Sequence, residues 1–165
     1  MAYDRRALVG VGGWLAFFII TLCLNALASP LAALAIASGM NAPVRPSGAA
    51  WSGYVAVNLL IGVVKAVAYA FMAWRLNARQ EPGTPRLVIK LLWALVLLPP
   101  LVDAAAAALL LDVSAHDAGV AFGAGMFRPL IYAAIWTAYL LRSERVANTY
   151  TPGRAEDEAL AAVFE

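Results

Sequence analysis

Residues 54–74 read YVAVNLLIGVVKAVAYAFMAW, an apolar run that carries one charge, Lys65. An α-helix rises ~1.5 Å per residue, so about twenty such residues cross the ~30 Å hydrocarbon core of a bilayer. Trp51 and Tyr54 stand where aromatic side chains anchor at the headgroup level. Three further runs of this kind, at about 9–34, 87–111 and 119–141, predict with the first an all-α four-transmembrane-helix bundle. Residues 1–150 form one membrane domain, and 151–165 a short tail. The stretch outside the runs is too small to hold a soluble core.

Composition agrees. Hydrophobic residues make up 63% of the chain and charged ones 13%, against roughly 45–50% and ~25% in soluble domains. Arg5 and Arg6 precede the first run, Arg75, Arg79, Arg86 and Lys90 flank the second connection, and Arg142, Arg145 and Arg154 follow the last run. The first connection holds only Arg45, and the third holds Asp112, His116 and Asp117. The positive-inside rule then sets both termini and the middle connection in the cytoplasm. Residues 1–6 with the following apolar run and Ala26-Leu27-Ala28 mimic a signal peptide. That run exceeds a usual signal core, so it is read as a retained span.

Between the runs the chain is punctuated. Residues 35–52 carry Gly39, Pro43, Pro46 and Gly48, an irregular loop, and Glu81-Pro82-Gly83-Thr84-Pro85 marks a tight turn that starts the third helix. The tail opens on Thr151-Pro152, with acids at 156–158 before Leu160, Val163 and Phe164. That order allows an amphipathic helix as well as a frayed end.

Charges at hydrocarbon depth are costly and face a bundle interior or a partner. Lys65, Asp103 and Arg128 are such charges. Asn58, Lys65 and Tyr69 share one helical stripe; Arg128 and Tyr132 share another; Thr21 and Asn25 lie a turn apart in the first run. These residues, Asn25 included, form the candidate intramembrane polar cluster. Asp103 and Arg128 fall at similar depth on neighbouring helices, which predicts that they pair and leaves Lys65 as one excess positive charge. Pairing of this kind fixes helix register, and Lys65 has a snorkelling alternative along its own stem.

Several chemistries have no residues to carry them. One histidine and one cysteine, Cys23, exclude a His-rich metal site, bis-His haem and an internal disulfide, so no metal or cofactor is expected. No nucleophile, base and orienting group recur together, so the sequence predicts no enzyme. Basic residues are scattered at membrane edges, which argues against nucleic acid. Gly119 and Gly123 form a G-x-x-x-G that permits close helix approach.

Gly12-Gly13-Trp14-Leu15 and the stretch Trp136-x-x-Tyr139-Leu140, Ser143-x-Arg145-Val146, Thr149-Tyr150 resemble the two ends of a bacterial inner-membrane protein family of unknown function. Ala147 stands where that family often has a basic residue. The resemblance implies four spans and an inner-membrane location, and no activity. Independently of it, Arg142 and Arg145 suit contact with anionic headgroups, and Ser143 or Thr149 can satisfy backbone groups where the helix ends. The sequence thus points to a membrane protein acting as accessory or assembly partner of a complex. The alternative is a small transporter or lipid-handling protein that uses Lys65, Asp103 and Arg128. Lipid is one partner, and a second membrane protein a possible other.

Overall fold

The computed structural model describes residues 10–39 and 48–151. Arg5, Arg6, Arg45 and the candidate tail helix lie outside the described residues. Five helices follow in order: α1 (Trp14–Ser38), α2 (Ala49–Ala78), α3 (Thr84–Leu110), α4 (Ala115–Arg142) and α5 (Glu144–Tyr150). The first four are each long and apolar enough to cross a membrane, and no strand occurs among the described residues.

Local chemistry sets the helix ends. α1 begins at Trp14, later than the apolar run predicts, because Gly10 and Gly13 take positive φ values of 88° and 55°, a conformation glycine alone adopts without strain. It ends where left-handed Gly39 turns its N–H back to the carbonyls of Ala35 and Ile36. α3 starts at Thr84 with proline in its first turn and runs through Pro99-Pro100 without a break. α4 starts several residues earlier than hydropathy suggests because Ser114 caps it, accepting the Asp117 N–H at 3.1 Å. Ser143 ends α4 and also caps α5, accepting from the Val146 N–H.

Consecutive helices pack in chain order, α1 on α2, α2 on α3, α3 on α4. The ring closes through side chains between α4 and α1. Trp136 stacks on Phe18 with centroids 4.3 Å apart, and the Thr21 and Tyr132 hydroxyls share a hydrogen bond of 2.8 Å. α1 and α2 approach tightly at Gly62, where an added Cβ would lie 2.8 Å from the Ala33 Cβ.

The core is uneven along the bundle. At the end that carries the α2–α3 turn and α5, buried side chains are large: Phe18, Met72, Leu76, Leu92, Trp136, Tyr150. Toward the α3–α4 loop they are small or polar: Ala33, Asn58, Ala106, Ala118.

Candidate functional site

Tyr54 and Asn58 lie one turn apart on α2 and so present the same face to α3. Both donate to the same oxygen of Asp103, the Tyr54 hydroxyl at 2.9 Å and the Asn58 amide at 3.0 Å. Asn58 is buried, and its amide also reaches the Tyr54 carbonyl at 3.2 Å. Two further turns along the stripe stands half-buried Lys65. Helical side chains lean toward the N-terminus of their helix, which for Lys65 is toward Asp103. The two attract each other electrostatically but form no ion pair; those among the described residues are Arg75–Glu81 and Arg79–Glu81.

Arg128 does not pair with Asp103. The expected depth match is present: Trp93 donates to Thr137 across α3 and α4 at 3.1 Å. Ten residues on from Trp93 is Asp103, and ten back from Thr137 is Phe127, beside Arg128. Depth, however, says nothing about direction around the helix. Asp103 points to α2, whereas Arg128 is exposed on α4. The excess positive charge at membrane depth is therefore Arg128, on the outer face of the bundle, whereas Asp103 is the acid whose charge acts on Lys65.

The remaining polar residues divide into separate groups. Tyr132 bonds Thr21, and buried Tyr69 lies near Tyr132. Asn25 serves its own helix, donating to the Thr21 carbonyl at 2.7 Å. Two open concavities of about 380 and 470 Å³ lie against α5 and between α1 and α2, and neither is lined by Lys65, Asp103 or Arg128.

The terminal motif acts as a clasp. The hydroxyl of buried Thr149 accepts from the Gly10 N–H at 3.0 Å. The Arg145 guanidinium lies against Gly12, where an added Cβ would meet Nη1 at 2.9 Å. Tyr150 donates to the Leu76 carbonyl. Burial, and secondarily neighbouring Tyr139, push the Tyr150 hydroxyl up to about 12, so it stays a protonated donor at neutral pH. Arg142 remains exposed. Thus Ser143 and Thr149 satisfy backbone groups, and Arg145 is drawn inward against glycine.

Tyr54 is the site residue that sequence reasoning missed, having been read as a headgroup anchor. Its i, i+4 spacing to Asn58 was the available signal.

A family model described as protein of unknown function (DUF2569) matches residues 8–151. No curated protein and no solved structure matches. The match spans all five helices, including both partners of the clasp.

Proposed function

We propose, for a chain that belongs to the DUF2569 family of proteins of unknown function, that it is a non-catalytic inner-membrane subunit serving as accessory or assembly partner of a larger membrane complex. Arg128 carries this reading. It is exposed near the middle of α4 and has no ion pair among the described residues. A guanidinium left in hydrocarbon costs several kcal/mol, and a partner removes that cost. Both termini and the α2–α3 turn face the cytoplasm in this reading, following the basic residues Arg75, Arg79, Arg86, Arg142 and Arg145.

Purification in mild detergent with quantitative mass spectrometry tests it. Wild-type chain should retain a defined membrane protein that Arg128→Met loses at least tenfold. Wild-type chain purifying alone from its native membrane would overturn the reading.

A second reading, a small transporter or lipid-handling protein, is favoured by the Tyr54–Asn58–Asp103 network with Lys65 opposite. Under it, Lys65→Met or Asp103→Asn abolishes ligand or lipid retention and leaves copurification unchanged.

A further inference from the structure

Arg128 sits about 16 Å along α4 from Asp117 and about 21 Å from Arg142, the charged residues near its two ends. From there its side chain does not span the distance to either headgroup layer, so snorkelling relieves the charge only in part. Nor does any acid among the described residues pair with it. Asp103, the acid at this depth, is turned toward α2 and holds two donors on one oxygen. A two-fold dimer about the membrane normal with its axis beside Arg128 would set Arg128 against Arg128, like charge against like.

The surface around Arg128 has a definite shape. Helical side chains lean toward the N-terminus of their helix, which for Arg128 is the side of Ala124 and Gly125. Both are exposed, and an added Cβ at Gly125 would meet nothing within 4 Å. The next residue is Pro129, which has no N–H to give the Gly125 carbonyl four residues back. One patch therefore combines a cation with no ion pair among the described residues, a carbonyl deprived of its usual donor, and room for an approaching backbone. Ile131 and Ile135 continue the same exposed stripe as an apolar contact.

From this we infer that α4 docks a transmembrane helix of another protein, one that carries an aspartate or glutamate at mid-bilayer depth and pairs it with Arg128 over Ala124 and Gly125. This rests on the assembly reading and names the surface and the partner's chemistry.

A photo-crosslinking residue at Ile131, in native membranes, tests it, with the same residue at exposed Leu97 on α3 as the comparison. Ile131 should capture a protein with an acid inside one of its spans. Capture should fall at least tenfold with Arg128→Met, survive with Arg128→Lys, and fall again with Ala124→Trp, which fills the patch and keeps the charge. Equal capture with Arg128→Met, capture of a second copy only, or a captured protein with no acid in its spans would overturn the inference. Capture from Leu97 but not from Ile131 would overturn this surface and leave the assembly reading standing. Capture of lipid alone from both positions would overturn both.

Discussion

The two ends of the bundle are built from different materials. At the α5 end the helices are held by large side chains, by the Phe18–Trp136 stack and by hydrogen bonds from Thr149 and Tyr150 to distant backbone. At the α3–α4 loop end the contacts are alanines, the Gly62 crossing and the polar group around Asp103. Lipid tails are as apolar as leucine, so within a membrane helices are held by close packing and polar contacts rather than by hydrophobic burial. One end thus relies on shape over a large area, and the other on close backbone approach and a few directed bonds. The three charges at membrane depth, Lys65, Asp103 and Arg128, lie in or beside the second arrangement, where small neighbours leave them room to meet each other or a partner.

Trp136→Ala gives the sharpest test of that contrast. It removes the ring between Phe18, Tyr132 and Tyr139 and should cost about 3–5 kcal/mol in reversible unfolding in micelles. A loss below about 1 kcal/mol would mean that the large side chains do not hold that end together.

Asp103 comes next. Asp103→Ala strands the Tyr54 hydroxyl and Asn58 amide and leaves Lys65 without its opposing charge, at about 2–3 kcal/mol. In double-mutant cycles Asp103 and Lys65 should couple by more than about 0.5 kcal/mol, while Asp103 and Arg128 should add within that margin. Coupling to Arg128 instead would restore the pairing that depth alone suggests.

The smallest effect is carried by two glycines. Gly62→Ala pushes a methyl into Ala33 and should destabilise by about 1–2 kcal/mol. Gly123→Ala meets nothing within 4 Å and, by its better helix propensity, should be neutral or stabilising by up to ~1 kcal/mol. Equal effects would show that the Gly62 crossing is not a tight contact.

The four spans were legible because length and hydropathy suffice for them; no pairing has to be known. Arg128 shows where that stops. Its depth could be counted from the sequence, but which way it faces depends on how α4 rotates against α3, and that is decided by contacts such as Trp93 with Thr137. The clasp was half legible. Its residues were noticed at both ends of the chain, yet no local pattern says that Thr149 meets Gly10. α5 was not foreseen, since seven residues hold too few turns for a periodic signal. Gly62 was invisible for a similar reason, because a single glycine in an apolar helix is ordinary until its neighbour is known.

The Gly10–Thr149 contact also orders the birth of the molecule. A chain is synthesised from its N-terminus at ~5–20 residues per second, so α1 is made long before the residues that hold its first turn. α1 and α2 can settle together early, as a hairpin sealed at Gly62. The segment leading into α1 must then wait, its Gly10 amide unanswered by Thr149, until α5 has left the ribosome. A chain stopped just after Arg142 would contain all four membrane-spanning helices and still be unfinished, the segment before α1 lacking the latch that α5 supplies.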